Sequence, residues 1–486
     1  MGLKQQAVKG VVWNSVGTIG SGVINLLITM ILARLLSPDQ FGVIAILTAF
    51  SLISDVIVDS GFSQAIIRDQ SDDNTKLTSV FYFNLFIAII LYIVLFLLSP
   101  SIAFFYKIPE IKIFSRVLFL SVILNSLGLI QTALFNRDIN FKAPAISSII
   151  SMIIAGITSA IMAYRGFGIW ALIANSILFA GLRSLLLWIQ SSWRPKGFIK
   201  IESLKEYFGF SSNLLVQGLI DRIVTNIEPI LIGKFYTTKS LGYFSQASKF
   251  NTYISATSSS VLQKVSYPVL SKIADNQEHL RSAYSQLISW VIFALLPVYI
   301  VVILYAEDIM IVFFGSQWGA SAPFLRLWSI CGFSLSIYTL FTNIFLVKGK
   351  TGQYLKLFII KQILRLTALL ITIRISVMGI MWGIAIVTVF TGLMYIYYGG
   401  KLVDFSLRDF GKILFQPVIS STIALFIIYL FENLFHLQVG RIVVLIIGAS
   451  AFLFIYFACM LVMKNSVALK LLSTFKTFLG LTNSSQ

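Results

Sequence analysis

Residues 31–42 read ILARLLSPDQFG: an apolar run with one arginine, a Ser-Pro turn and a Phe-Gly pair. Proline interrupts a helix from within but suits a first helical turn, so this pattern predicts that one helix ends here and another begins. A similar pattern returns 200 residues later as LIGKFYTTKSLG, residues 231–242. The two copies share a cation, a Ser or Thr, and an apolar residue followed by Gly at the same offsets. The sequence therefore predicts an internal repeat.

The composition is that of a membrane protein. The 486 residues are 57% hydrophobic and 12% charged, with a mean hydropathy of +0.89. Water-soluble domains average about 45–50% apolar and about 25% charged residues, so this chain lacks the ionic surface that water requires. The two cysteines, Cys331 and Cys459, lie inside apolar runs, which excludes a disulfide framework or a thiolate metal site as the organising feature.

Apolar runs of membrane-spanning length recur along the whole chain, since a spanning helix needs about 20 residues. Six predicted spans separate the two repeat copies, so both copies have the same orientation, and transporters use such parallel repeats to enclose a site between two lobes. We predict fourteen spans, at residues 8–36, 41–62, 77–99, 111–135, 143–164, 167–190, 207–234, 240–263, 284–304, 320–346, 355–374, 378–398, 413–431 and 441–463.

The positions of lysine and arginine predict the orientation of these spans. The formal net charge is +18, which in a soluble protein would suggest a nucleic-acid partner. With the N-terminus inside, the predicted cytoplasmic segments contain 22 lysines and arginines and the outer segments contain 8. Cytoplasmic loops of membrane proteins collect these residues. We therefore expect both termini in the cytoplasm and no nucleic-acid partner.

Several sequence blocks resemble the polysaccharide transport family of oligosaccharide flippases, the Wzx-type members of the multidrug/oligosaccharidyl-lipid/polysaccharide exporter superfamily. The blocks extend from the N-terminus to about residue 400 and so cover both predicted lobes. Besides residues 31–42, they are Trp13-Asn14, GFSQAII at 61–67, RDINFK at 137–142, GFGIWAL at 166–172, LGYFSQA at 241–247, and Trp318 with Pro323.

The resemblance implies an all-α polytopic membrane fold of two six-helix lobes followed by two extra helices. We expect an N-lobe at residues 1–205, a C-lobe at 206–400, and helices 13 and 14 with a cytoplasmic tail at 401–486. The family function that it implies is flipping of undecaprenyl-diphosphate-linked oligosaccharide repeat units across the bacterial inner membrane, by alternating access, for surface polysaccharide biosynthesis. The implied partners are this lipid-linked glycan, membrane lipids and the polysaccharide polymerase machinery.

Seven cations remain inside the predicted spans when the loop residues are set aside: Arg116, Arg183, Arg222, Lys249, Arg326, Lys361 and Arg365. Ionisable groups in a span cost several kcal/mol when they face lipid, so they normally face the bundle interior. The helical rise places Arg222, Lys249 and Arg365 near mid-membrane, with Lys361 one turn from Arg365. Guanidinium groups bind phosphates bidentately, so we predict that these four form a cationic cavity for the diphosphate. The alternative is that each pairs with a nearby carboxylate.

The carboxylates and one amide inside the predicted spans allow further hypotheses. Asp55 and Asp59 are spaced i, i+4 on one helix face, which predicts either an ion-coupling site or local charge pairing. Asp221 and Glu228 are further candidates for pairing, and Glu228 stands where the resembling family more often shows Asp. Asn25 could contact sugar hydroxyls, although amides in membranes more often hydrogen-bond a neighbouring helix.

No nucleotide fingerprint, metal-ligand spacing or nucleophile motif occurs in the sequence. We therefore expect a secondary transporter with no cofactor, metal site or catalytic residue. The first alternative is a cation-coupled multidrug or metabolite exporter of the same superfamily, which would prefer an anionic cavity. Two further alternatives are a membrane-bound transferase or polymerase and a non-transporting scaffold. The first usually needs a sizeable loop with acidic or histidine residues, which this sequence lacks. The second would not need an internal repeat.

Overall fold

The computed structural model describes residues 3–69, 73–197, 199–273, 276–435 and 440–478. These residues form nineteen α-helices and one short 3-10 helix, with no strand among them. Eleven helical segments within the described residues are long and apolar enough to cross a membrane. The predicted fold class, an all-α polytopic membrane protein, is confirmed.

Contacts between residues divide the chain into two compact units, residues 1–246 and 247–486. The lobe boundaries expected after residues 205 and 400 follow the sequence repeat instead and stay a prediction, and residues 479–486 of the expected tail lie outside the described residues. The first unit contains α1 (Leu3–Leu35), α2 (Pro38–Asp59), α3 (Phe62–Arg68), α4 (Asn74–Tyr106), α5 (Ile111–Leu118), α6 (Leu120–Leu127), α7 (Leu129–Arg137), α8 (Lys142–Tyr164), α9 (Ile169–Gln190) and α10 (Ile201–Phe235).

The unit boundary falls inside α11 (Thr238–Lys272), and the second unit contains the remaining helices. These are α12 (Gln277–Leu304), α13 (Ala306–Phe314), the 3-10 helix (Ser316–Ser321), α14 (Ala322–Val347), α15 (Thr351–Thr372), α16 (Val377–Lys401), α17 (Leu407–Phe435), α18 (Arg441–Val462) and α19 (Ser466–Phe478).

Each of the fourteen predicted spans overlaps a helix or a run of short helices. Eleven of them coincide with the segments that are apolar enough to cross a membrane. The other three lie in α10, α11 and α15, which are not among those segments. The count of fourteen transmembrane helices therefore stays a prediction.

The two copies of the sequence repeat have the same backbone pattern. α1 ends at Leu35 and α2 begins at Pro38, while α10 ends at Phe235 and α11 begins at Thr238. Each of these second helices begins with a capping hydrogen bond. In the first copy, the backbone N–H of Ser37 donates to the side-chain oxygen of Gln40 at 2.9 Å. In the second copy, the N–H of Ser240 donates to the Thr237 hydroxyl at 3.2 Å.

The two repeat copies meet each other through their glycines, within the first unit. A Cβ atom on Gly42 would overlap the carbonyl oxygen of Thr238, and a Cβ atom on Gly242 would overlap the carbonyl oxygen of Pro38. The contact is reciprocal, because residue 42 of one copy meets the start of the other helix and residue 242 does the same in return. The Thr238 hydroxyl also donates to the Asp39 carboxylate at 2.8 Å. Glycine at this offset in both copies allows the first turns of α2 and α11 to touch backbone to backbone.

The predicted span at 111–135 is three short helices in the structure, α5, α6 and α7, and not one helix. At the break before α7, two backbone carbonyls of α6 accept hydrogen bonds from side chains of α9. The Ser184 hydroxyl donates to the carbonyl of Leu124 at 2.6 Å, and the Trp188 indole donates to the carbonyl of Leu127 at 2.8 Å. Side chains of α9 therefore satisfy the carbonyls that the break exposes.

Alanine at Gly42 or Gly242 should destabilise the protein, because the backbone oxygen that the new methyl group meets cannot move aside. Overpacking of this kind costs about 1–3 kcal/mol, so we expect each substitution to lower the thermal unfolding midpoint of the purified protein. Gly209→Ala is the matched control, since Gly209 is exposed on α10 and an added methyl group there would have no atom within 4 Å. The control should be neutral or slightly stabilising. Unchanged midpoints for Gly42→Ala and Gly242→Ala would contradict the close contact.

Candidate functional site

The four cations of the predicted cavity lie on the three predicted spans that are not among the apolar segments. Arg222 lies on α10, Lys249 on α11, and Lys361 and Arg365 on α15. The side chains of Arg222 and Lys249 are exposed, and those of Lys361 and Arg365 are half-buried. A charged side chain at mid-membrane is tolerated where it faces protein or water and not lipid. We therefore expect the sides of α10, α11 and α15 that carry these cations to face protein or water.

Asp55 has one direct partner, an amide, and one nearby charge. Its carboxylate accepts a hydrogen bond from the Asn125 side chain of α6 at 3.5 Å, across 70 residues of sequence. The guanidinium of Arg222 also acts electrostatically on Asp55, without a direct ion pair among the described contacts. The sequence shows Asn125 as a polar residue within a predicted span but does not pair it with Asp55. The half-buried Asp55 carboxylate therefore has an amide as its hydrogen-bond donor, and it interacts electrostatically with the exposed Arg222.

Asp59 lies at the last residue of α2 and contacts the start of α3. Its carboxylate accepts hydrogen bonds from the backbone N–H of Ser63, at 3.3 Å, and from the Ser63 hydroxyl. A carboxylate near the first turn of a helix satisfies backbone donors that have no partner within the helix. The contacts of Asp59 therefore fix the turn between two helices, and its predicted role in ion coupling or charge pairing stays a prediction.

The other two candidate carboxylates lie on α10, on either side of Asn226. Asp221 is half-buried beside Arg222, and Glu228 is 2% exposed. Both side chains interact with other described groups. The Asn226 side chain donates to the carbonyl of Arg222 at 2.8 Å. This bond lies within α10, and it does not reach the carbonyl of Thr225, which is the one that Pro229 leaves without a helical N–H donor.

In the second unit, Lys361 faces an aromatic pair. Its ammonium donates to the Tyr338 hydroxyl at 3.3 Å and lies 5.5 Å from the centre of the Tyr338 ring. Tyr338 stacks on Tyr395, with ring centres 5.1 Å apart and an interplanar angle of 16°. Arg365 follows one helical turn later on α15, and both Arg365 and Lys249 interact with other described groups. Lys361 is held by a phenol and not by a carboxylate, so its charge is not neutralised by this contact.

A groove of about 490 Å³ lies inside the first unit, between α1, α7 and α8, and apolar atoms supply more of its surface than polar atoms do. Helix α1 has an apolar face that is exposed at Val12, Val16 and Val23, and a polar face on another side. Asn25 is half-buried further along α1 and does not line the groove. The polar residues that line it are Asn14, Thr18, Ser21, Thr132, Asn136 and Ser148.

Arg183 of α9 contacts the rim of this groove. Its guanidinium donates to the Ser148 hydroxyl at 3.3 Å, and Gln190 on the same helix donates to Ser147 at 2.7 Å. The sequence marked Arg183 as a cation inside a span but gave it no role. The signal that could have found it is the pairing of two polar residues seven apart on α9 with the adjacent serines of α8, since residues seven apart share a helix face.

The described residues contain no group of three or more His, Cys, Asp and Glu side chains that could hold a metal ion. The contacts described above join amides, hydroxyls and cations to one another or to the carboxylates of Asp55 and Asp59. Amides, hydroxyls and cations bind phosphate oxygens and sugar hydroxyls by charge and hydrogen bonding.

Comparison with known proteins identifies relatives over most of the chain. The Teichuronic acid biosynthesis protein TuaB of Bacillus subtilis (strain 168) is 21% identical over 350 residues, which is 72% of each chain. The Lipopolysaccharide biosynthesis protein WzxC of Escherichia coli (strain K12) is 22% identical over 380 residues, which is 76% of each chain. Both relatives carry names from bacterial surface polysaccharide biosynthesis.

A solved structure has the same fold over nearly the whole chain. It is the lipid II flippase MurJ in an inward closed conformation, with a TM-score of 0.77 and 16% sequence identity, covering 94% of this chain and 99% of that chain. The family model described as "Polysaccharide biosynthesis protein" matches residues 31–323, which is more than half of the chain. These findings confirm the resemblance drawn from the sequence blocks. The chain is a multi-span membrane protein that belongs to the polysaccharide biosynthesis protein family.

Proposed function

We propose that this protein moves polyprenyl-diphosphate-linked oligosaccharides from the cytoplasmic to the outer leaflet of the bacterial inner membrane. The observation that carries the proposal is the placement of Arg222, Lys249, Lys361 and Arg365 away from the ends of the long helices α10, α11 and α15. A protein that only anchors itself in lipid has no need of charges there, since each costs free energy. The charges therefore serve a polar solute that must cross the membrane.

The chemistry of the four cations fits a diphosphate. A diphosphate carries several negative charges and acceptor oxygens, and an arginine fork binds two of these oxygens at once. Lysine adds a compact charge with three donors. The contact of Lys361 with the Tyr338 hydroxyl involves no carboxylate that would compete with an anion. We assign these residues to binding of the diphosphate during translocation.

The glycan needs a different kind of surface, and the groove of the first unit offers it. Sugar hydroxyls both donate and accept hydrogen bonds, and the amides and hydroxyls of Asn14, Thr18, Thr132 and Ser148 can do the same. Among the described residues that line the groove, none is a carboxylate. Asn25, on the same helix α1, lies outside the groove, and we keep it as a candidate for contact with sugar hydroxyls. The polyprenyl tail remains in lipid while the head-group passes through the protein by alternating access.

The alternative of a cation-coupled drug exporter is disfavoured by the sign of the exposed charge. A cationic drug needs carboxylates that are free to pair with it. Asp55 already contacts Asn125 and feels Arg222, and Asp59 contacts Ser63. Glu228 is almost fully buried. The exposed mid-helix charges, Arg222 and Lys249, are positive, so the substrate should be an anion.

The proposed place of this activity is surface polysaccharide biosynthesis, as O-antigen, capsule or exopolysaccharide. We place both termini in the cytoplasm, from the distribution of lysine and arginine, and we expect the polysaccharide polymerase machinery to receive the flipped units. The names of TuaB and WzxC support a polysaccharide pathway, and the fold of the lipid II flippase supports a lipid-linked substrate.

Removing the charge of Arg222 and Arg365 together should stop translocation. In a host strain without the chromosomal gene, we expect Arg222→Gln/Arg365→Gln to leave complete lipid-linked repeat units on the cytoplasmic leaflet, as the empty plasmid does. The loss should be about tenfold or more in flipped units, because each hydrogen bond to a charged group is worth about 1.5–3 kcal/mol. The measurement is extraction and leaflet assignment of the undecaprenyl-linked intermediates.

Two control variants separate the site from expression and from net charge. Arg222→Lys/Arg365→Lys keeps the charge and should restore part of the flipping. Lys112→Gln removes one exposed cation from α5 and should behave as wild type. Wild-type levels of flipped units in the double glutamine variant, at equal expression, would contradict the assignment of these arginines.

Asp55 should weaken the hold of Arg222 on an anion, because its charge opposes the field of the guanidinium. We expect Asp55→Asn to bind a short-chain polyprenyl diphosphate several-fold more tightly than wild type. Asp59→Asn is the matched control, because Asp59 contacts Ser63 and should change stability without changing affinity. Isothermal titration measures the affinity of each purified variant, and thermal unfolding measures its stability. If Asp55→Asn changes the sodium or pH dependence of transport and leaves affinity unchanged, Asp55 is a coupling site and not a partner of Arg222.

A further inference from the structure

The second unit contains a pocket of about 510 Å³ with a mainly polar lining. It plays no part in the proposed transport. It is open between α12 and the first turn of α19. Serine hydroxyls dominate its lining, with one acid and one amine among them. The residues that matter for its chemistry are Glu278, Ser282, Ser285, Ser289, Ser466 and Lys470.

The wall formed by α19 is fixed in place by a small hydrogen-bond network. The Asn465 side chain accepts from the backbone N–H of Val467 at 3.0 Å and donates to the Gln416 side chain of α17 at 2.6 Å. Gln416 in turn donates to the carbonyl of Met463 at 3.2 Å. Val467 and Ala468 are 3% and 0% exposed and pack into the apolar cluster of α12, α17 and α18. These contacts hold the start of α19 against α12, α17 and α18, so the wall of the pocket has a defined position.

The position of the pocket along its helices is that of a membrane surface. The apolar segment of α18 ends at Val462, four residues before α19 begins. α19 then contacts both α12 and α18, so it lies where a span has just left the membrane. Trp290 of α12 also lines the pocket, and tryptophan is enriched at the level of lipid head-groups. A pocket at this depth is open to lipid head-groups.

The pocket has donors without protein partners. The Lys470 ammonium forms no hydrogen bond or ion pair within the part of the chain that the structure describes, and the same holds for the hydroxyls of Ser282 and Ser285. The other cation at the pocket, Arg281, is already paired, since it donates to Asp409 at 3.2 Å. An ammonium and two free hydroxyls are suited to the oxygens of a phosphodiester.

The charges of the pocket match a head-group that is itself neutral overall. Lys470 supplies the positive charge, Glu278 supplies a negative one, and Arg281 is balanced by Asp409. We propose that this pocket binds a zwitterionic phospholipid of the phosphatidylethanolamine type. Lys470 and the serine hydroxyls bind its phosphate, and Glu278 binds its primary amine. The site holds α19 on the membrane surface and is independent of the transported substrate.

Native mass spectrometry of the full-length purified protein tests this site, with defined lipids added after delipidation. We expect Lys470→Gln and Glu278→Gln each to lower the affinity for phosphatidylethanolamine by about tenfold, the usual effect of losing one charge-assisted hydrogen bond. Lys470→Arg should keep most of the affinity. Lys464→Gln removes an exposed lysine that does not line the pocket, and it should bind phosphatidylethanolamine as wild type does.

Two further probes distinguish the sources of the phosphate. Phosphatidylglycerol, which has a phosphate but no amine, should bind wild type more weakly and should gain affinity in Glu278→Gln. Inorganic phosphate should not displace the lipid. Equal binding of both lipids by wild type, or displacement by inorganic phosphate, would overturn the proposal. Fluorescence quenching by phosphatidylethanolamine with brominated acyl chains gives a second readout, which Trp290→Phe should reduce.

Discussion

The backbone contact between Gly42 and the start of α11, mirrored by Gly242 and the start of α2, is the constraint on which the repeat architecture depends. Two helices can cross this closely only where neither has a Cβ atom in the way. Each glycine meets a carbonyl oxygen near the N-terminus of the other helix, so the contact holds the two copies in one register. The caps that begin α2 and α11 then set the direction in which each of these helices leaves the contact. A residue of ordinary size at either position would separate the two copies.

The second constraint is the free-energy cost of placing a charged side chain within a membrane. Most of the long helices are apolar enough to span and can face lipid. α10, α11 and α15 carry Arg222, Lys249, Lys361 and Arg365 within their length. Three further cations, Arg116, Arg183 and Arg326, lie on segments that are apolar enough to span, so the cost of charge is not confined to three helices. A polar neighbour contacts one of the cations of α15 directly, because the Lys361 ammonium donates a hydrogen bond to the Tyr338 hydroxyl.

Features encoded within a few residues were predictable from the sequence, and features that join distant residues were not. The turn at Ser37-Pro38 and its copy at Thr237 are local, and both appear where the sequence placed them. The break before α7 depends on Ser184 and Trp188, about sixty residues away, so the apolar run alone reads as one helix. The contact between Asp55 and Asn125 likewise needs the tertiary fold. The cations could be located on helices, but their partners could not be named.

Translocation by the purified protein in lipid vesicles tests the flippase proposal with no other enzyme of the pathway present. Vesicles are prepared with a polyprenyl-diphosphate-linked oligosaccharide in both leaflets, and a membrane-impermeant reagent modifies the glycans that reach the outside. We expect wild-type protein to expose the inner-leaflet pool as well, and Arg222→Gln/Arg365→Gln to expose only the outer-leaflet share. Modification confined to the outer-leaflet share with folded wild-type protein would contradict the proposal that this chain moves lipid-linked glycans across a membrane.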